Sequence, residues 1–374
     1  MSLKRTLMEY LIEGLTQLSP TNSGIPSSPN SILVLRNNDL GDLLIVTPLF
    51  QALKEHFPNA KLAVATGPWC RGILDNNPYV DEIIYLNAPW HNHYLNCQSV
   101  TRALGYIALS KEVEQLQKQH FDIGIDIVGS AFGSLLFLKS KIPYRLGVKG
   151  FAGGHTACQQ YVMFNPAQQV GRAALHFAEL LGQTILPQAI PQIYLSNKEQ
   201  NYGQKLWIDN NKNGESQEFS KIGKIVIAPG GGFSTKLWEP ENFTKLAHFL
   251  FSNYADKIQL LFIGNAKENA LCQLIIDAVS EQAPNANVCN LAGKLSLRDT
   301  FGLLSFSDLV ITNSSMVLHA SQAFSKKTVT VLGSFFPSKA EHDATWGYEK
   351  NYYSAATLAE AQEIVRQLLP EISS

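Results

Sequence analysis

From Ser31 onward, short apolar runs of strand length alternate with helical segments, and the alternation starts afresh at Lys224. Strands joined by helical segments form parallel sheets, because a parallel pair needs a long, right-handed crossover. The first run, 32–35, leads into the polar loop Asn37-Asn38-Asp39, then Gly41 and a helix carrying Asp42 in its first turn. The second, 224–228, leads into Pro229-Gly230-Gly231-Gly232. The expected fold class is α/β, two Rossmann-like domains in tandem, facing each other across a cleft that is the default ligand site. A length of 374 residues suits about two domains.

Hydrophobic periodicity predicts strands over 32–35, 61–66, 82–86, 122–128 and 144–148 in the first half. In the second it predicts them over 224–228, 258–263, near 288, and over 308–312 and 328–332. Helices are expected over 43–56, 70–75, 100–119, 172–181, 198–208, 241–251, 268–279, 297–304, 317–323 and 358–369. Domain boundaries follow: an amphipathic helix and a Pro/Ser/Asn linker over 1–30, one domain over 31–187, and a second over 188–355. A C-terminal helix over 356–374 has a return to the first domain open to it. The turn-rich segment 87–98 reads as a lid or acceptor surface over the first sheet, and a polar loop over 209–223 precedes the second block.

With 30 Lys+Arg against 31 Asp+Glu, the formal net charge of −1 lacks the electrostatic footprint of a nucleic-acid binder. The five cysteines, Cys70, Cys97, Cys158, Cys272 and Cys289, are scattered without metal-site spacing and read as reduced cytoplasmic thiols. His91 and His93 have no further ligand at a recognisable spacing, so no metal site is expected. Glu9 and Glu13 interrupt any signal-peptide apolar core, and no apolar run is long enough to span a bilayer.

Three constellations could carry chemistry. Asp42, at a helix start, is either a cap favoured by the helix dipole or a catalytic carboxylate, and its loop lacks the dinucleotide G-x-G-x-x-G. The loop Gly230-Gly231-Gly232, with Ser234, Thr235 and Lys236, lets backbone N–H groups approach a phosphate; the alternative is a tight strand-to-helix turn. Asn313-Ser314-Ser315 ends a strand ahead of a helix bearing His319, which is either a ligand contact or a packing residue.

The stretch ILVLRNNDLGDLLIVTPLFQALKEHFPNAKLAVAT resembles the opening of glycosyltransferase family 9, the ADP-heptose:lipopolysaccharide heptosyltransferases. The segments NPYVDEIIYLN, YRLG, PGGGFSTKLWEPENFTKLA and LAGKLSLRDTFGLLSFSDLVITNSSMVLHASQAF continue the resemblance in the same order, from about Ser31 to about Trp346. It implies a GT-B architecture, with the acceptor bound by the first domain and the nucleotide sugar by the second. It also implies inverting transfer of a sugar, heptose from ADP-heptose, to a lipopolysaccharide-core or related glycan acceptor. No metal or other cofactor is implied, in keeping with the absence of an Asp-x-Asp triplet.

On this resemblance Asp42 matches the catalytic base, ionised at neutral pH as aspartates ordinarily are. Asn38, Asp39 and Arg145 fall on the acceptor side. Gly230, Gly231, Gly232, Ser234, Thr235, Lys236, Ser314, Ser315 and His319 fall on the donor side, with Lys236 neutralising the leaving diphosphate. The implied location is cytoplasmic, with peripheral contact at the inner membrane through a lipid-linked acceptor. The chain departs from the pattern where Asp-Thr-Gly becomes Ser314-Ser315-Met316, Trp-Pro becomes Trp238-Glu239-Pro240, and Gly-Pro becomes Gly333-Ser334. Those departures leave two alternatives: a catalytically altered sugar-nucleotide-binding protein of the same fold, or a transferase using a different nucleotide sugar.

Overall fold

A computed structural model of the chain describes residues 3–21, 24–96, 98–212 and 222–369; Cys97 and most of the polar loop expected over 209–223 lie outside them. The chain divides into two compact units, Met1–Ala189 and Ile190–Ser374.

The first unit is built on six parallel strands, β1 (Ser31–Leu35), β2 (Lys61–Thr66), β3 (Glu82–Tyr85), β4 (Ile123–Asp126), β5 (Tyr144–Lys149) and β6 (Gln160–Met163). Their order is β3-β2-β1-β4-β5-β6. The central strand β1 is buried along its whole length, as a parallel strand covered by helices on both faces must be. Each fully buried large aliphatic residue there contributes roughly 1.5–3 kcal/mol of transfer free energy.

The second unit repeats the design with β7 (Gly223–Ala228), β8 (Ile258–Phe262), β9 (Val288–Asn290), β10 (Leu309–Asn313), β11 (Lys327–Val331) and β12 (Tyr352–Ala355). Their order is β12-β11-β10-β7-β8-β9, again parallel throughout. In each sheet the first strand lies beside the fourth, β1 against β4 and β7 against β10, and the chain winds outward from that pair in both directions. Loops leaving the carboxyl ends of such a pair border the crevice where open α/β sheets bind ligands.

Several expectations are corrected. The helix expected over 43–56 is two helices, Leu40–Leu44 and Thr47–His56, because Pro48 has no N–H to donate and fits only a first turn. The helix over 100–119 likewise divides into Val100–Leu109 and Lys111–Lys118, with Ser110 capping the second by accepting from the Glu112 N–H. Of 70–75 only the single turn Pro68–Cys70 forms. Strands β6 and β12 and the helix Lys339–Trp346 were not expected; β6 and β12 are edge strands with mixed exposure and a weak apolar signal.

The N-terminal helix Leu3–Gln17 is part of the first unit, with Ile12 buried in its core. The C-terminal helix Leu358–Leu368 is part of the second unit. Its Ala361, Val365 and Leu368 are buried in the core of the second sheet.

Candidate functional site

In the first unit the turn after β1 places Asp42 at the third position of the helix Leu40–Leu44. Both its oxygens are engaged. Oδ2 accepts the Asp39 N–H at 3.3 Å, and Oδ1 lies 3.1 Å from Nη2 of Arg36, which follows β1 directly. Arg36 Nε also donates to the Asp42 carbonyl at 3.1 Å. Capping and orientation therefore coexist: the backbone fixes one oxygen, the guanidinium the other, and the side chain keeps 25% of its surface exposed.

The segment over 87–98 is stapled to this turn. Asn37 donates to the Trp90 carbonyl at 2.8 Å, Asn38 to that of His91 at 2.8 Å, and Trp69 to the Asn38 carbonyl at 2.8 Å. Asp39 Oδ2 lies 2.7 Å from His93 Nδ1, so the carboxylate occupies that ring nitrogen. Tyr94 stacks on both Trp69 and His93. Among the described residues no three His, Cys, Asp or Glu side chains gather as a metal ion would require. Cys70, beneath the turn, is a structural thiol, pushed up to about 12 by burial.

Arg145 corrects the expectation of an acceptor contact. Its side chain is fully buried in the first unit and donates to the carbonyls of Ala157, Ile142 and Pro20 at 2.7, 2.5 and 3.1 Å. It ties the linker to the sheet, and a ligand cannot reach it.

In the second unit the residues expected on the donor side follow the carboxyl ends of the neighbouring strands β7 and β10. The N–H groups of Gly231 and Gly232 make no backbone hydrogen bond among the described residues. A side chain at Gly230 would overlap the Glu268 carboxylate, its Cβ falling 2.1 Å from Cδ, so Gly230 allows that carboxylate to lie against the loop. Ser234 and Thr235 open the single turn Ser234–Lys236. The Lys236 ammonium sits among the rings of Phe233, Phe335, Phe336 and Trp346, 5.0–5.8 Å from their centroids. Gly333 lets the backbone pack beneath that turn, since a Cβ there would meet the Leu237 carbonyl at 2.5 Å.

Asn313, fully buried at the end of β10, ties the two loops together. It donates to the Pro229 carbonyl at 2.7 Å and accepts the Trp238 N–H at 2.8 Å. Ser315 caps the helix Met316–Ala323, accepting from the Val317 N–H at 3.3 Å. Ser314 Oγ lies 2.9 Å from Nε2 of His342. His319 is a buried packing residue: its Nδ1 meets the Tyr348 hydroxyl at 2.6 Å, and burial, with His342 and Lys236 nearby, pushes it down to about 3.

Sequence reasoning missed Arg36, Glu268, His342 and Asp343. Arg36 had a usable signal, a charged residue at the exit of a buried strand. The other three stand far from the motifs they serve.

The family model for glycosyltransferase family 9 (heptosyltransferase) matches residues 110–368, well over half of the chain and including the whole glycine loop, Lys236 and Ser314. The chain belongs to glycosyltransferase family 9. As a member it is a glycosyltransferase. It is 25% identical over 321 residues to lipopolysaccharide heptosyltransferase 2 of Escherichia coli K12, covering 82% of this chain and 83% of the relative. Its two Rossmann-like halves are those of a GT-B fold. The solved structure of the E. coli ADP-heptose lipopolysaccharide heptosyltransferase II superposes with a TM-score of 0.70 at 21% identity, over 92% of this chain and 100% of that one. An E. coli heptosyltransferase solved with ADP matches at 0.64 and 13% identity, over 92% and 99%.

Proposed function

We propose that this family-9 glycosyltransferase moves a heptose from ADP-heptose to a hydroxyl of a lipopolysaccharide-core glycan, with inversion and without a metal ion. The names of its relatives, and the one solved with ADP, support the donor and acceptor classes. The acceptor oxygen attacks the anomeric carbon and its proton passes to the Asp42 carboxylate. The bond to the diphosphate breaks on the opposite face of the sugar, and ADP leaves.

The observation that carries this reading is the placement of Asp42. Its carboxylate is anchored by Arg36 and the Asp39 N–H, a quarter exposed to solvent, at the central strand pair where ligands bind. In the second unit Lys236 and the glycine-loop N–H groups would offset charge growing on the leaving diphosphate. The aromatic rings around Lys236 fix the ammonium in place before that charge develops. Asn38 and Asp39 border the acceptor side. No helix among the described residues is long and apolar enough to cross a membrane, so a lipid-linked acceptor would be met from the surface.

The test is ADP release from ADP-heptose in the presence of a core-glycan acceptor, measured with and without a chelator. Turnover that survives chelation and disappears in Asp42→Ala is expected. Turnover with UDP- or GDP-sugars alone overturns the donor, and turnover lost to the chelator overturns metal independence. A second reading, binding without turnover, draws on Ser314-Ser315-Met316; calorimetric ADP binding with no transfer on a panel of sugars and acceptors would favour it.

A further inference from the structure

The side chain behind Ser314 supplies what the departure at 314–316 takes away. His342 is wholly buried, its Nε2 aimed at Ser314 Oγ and its Nδ1 3.1 Å from Asp343 Oδ1. The Tyr352 hydroxyl lies 2.5 Å from the same carboxylate oxygen and 2.9 Å from Nδ1, and Ser354 donates to Asp343 Oδ2 at 2.7 Å. Burial alone would raise the Asp343 carboxyl, but the hydrogen bonds from His342, Tyr352 and Ser354 outweigh it and hold it below the ordinary value.

Counting protons fixes the direction of the chain of bonds. A carboxylate only accepts, and Tyr352 has one proton, which goes to the nearer partner, Asp343. Nδ1 of His342 therefore carries a hydrogen and donates. In the neutral ring Nε2 is then bare, and the only proton available to close the 2.9 Å contact is that of Ser314. The serine hydroxyl hydrogen is thus turned inward. Among the described residues Ser314 Oγ has no other hydrogen-bond partner, and the residue is half-buried rather than sealed.

We propose that His342, set by Asp343 and Tyr352, is a positioning residue that fixes Ser314 as a pure hydrogen-bond acceptor for a hydroxyl of the bound nucleotide sugar. An ordinary serine can donate or accept. One whose proton is claimed from behind presents lone pairs alone, as a carboxylate does, but without negative charge beside a diphosphate. A donor hydroxyl is recognised and a phosphate oxygen is refused, which assigns Ser314 to a hydroxyl of the sugar or ribose. The neighbouring Ser315 cannot share this task, since its oxygen caps the following helix.

This inference rests on the nucleotide-sugar reading above, and its first test does not depend on that reading. Selective 15N-histidine labelling of the full chain, with His342 assigned by its loss in His342→Gln, reports the tautomer from the two ring-nitrogen shifts. A protonated Nδ1 and a bare Nε2 are expected; the opposite tautomer, or a doubly protonated ring, overturns the proposal. The second test is steady-state transfer with ADP-heptose. Ser314→Ala is expected to raise the donor KM about tenfold with kcat changed less than threefold, and His342→Phe to do the same. The double variant should be no worse than either, because both remove one interaction. Additive losses, or an effect on kcat alone, overturn it. If His342→Phe fails to fold, Ser314→Ala and the wild-type tautomer still decide. Wild-type chain inert toward ADP-heptose, yet showing the expected tautomer, would instead sink the donor assignment.

Discussion

The turns after β1 and β7 occupy the same place in two sheets of the same topology, yet they are built differently. Around Asp42 the partners are near in sequence: Arg36 is six residues away and Asp39 three. Around the glycine loop they are remote. Asn313 reaches Pro229 across 84 residues, and His342 reaches Ser314 across 28. A locally built site carries its chemistry in a short motif, whereas a site assembled from distant segments can lose a motif residue and recover its role elsewhere.

Breaking each side of that comparison should have unequal effects. Asp42→Ala is expected to reduce transfer by about a thousandfold or more while ADP affinity stays within twofold, since a general base acts on the acceptor and not on the nucleotide. Retained turnover would remove Asp42 from the mechanism. Lys236→Met should lower kcat by about a hundredfold and raise the donor KM, read from initial rates over a donor titration. An effect on KM alone would make the lysine a binding group with no role at the leaving diphosphate.

Asn313→Ala sharpens the contrast from the side of stability. It leaves the buried Trp238 N–H and Pro229 carbonyl without their partner and should destabilise by about 3 kcal/mol. By calorimetry that is a fall in Tm of roughly 6–12 °C. A change below 2 °C would mean the two loops are held by other contacts.

The smallest expected effect lies away from both turns, at Glu199. There the Arg298 guanidinium pulls the carboxyl down from 4.5 to about 2. Its value in the folded chain is below that in the unfolded one, so the stabilisation is complete above about pH 4.5 and is lost as pH falls toward 2. Glu199→Gln should melt slightly lower than wild type at pH 7, converge with it near pH 2, and leave transfer unchanged per folded molecule. A wild-type-like melting curve at pH 7 would show that the pair adds nothing.

The contrast also sets what could be read from the residues alone. The two sheets were legible because parallel strands buried on both faces are plain apolar runs, and β1 and β7 stand where the pattern puts them. Edge strands β6 and β12, half-exposed and partly polar, have no such signature. The turns that carry Asp42 and Lys236 were legible because each is a short stretch with its own turn chemistry. Arg145 misled because an arginine in a recognisable motif looks functional, and only its burial among carbonyls reveals a tie. Nothing in the sequence of Glu341-His342-Asp343 connects it to Ser314, because that contact is made by folding.

Asn313 has one more consequence. Since one buried amide holds the glycine loop and the β10 turn together, the Trp238 N–H that it accepts is released only when both loops part. Hydrogen exchange at that amide is therefore a clock for the parting of those two loops. A nucleotide that grips either loop alone should slow the clock as much as one that grips both.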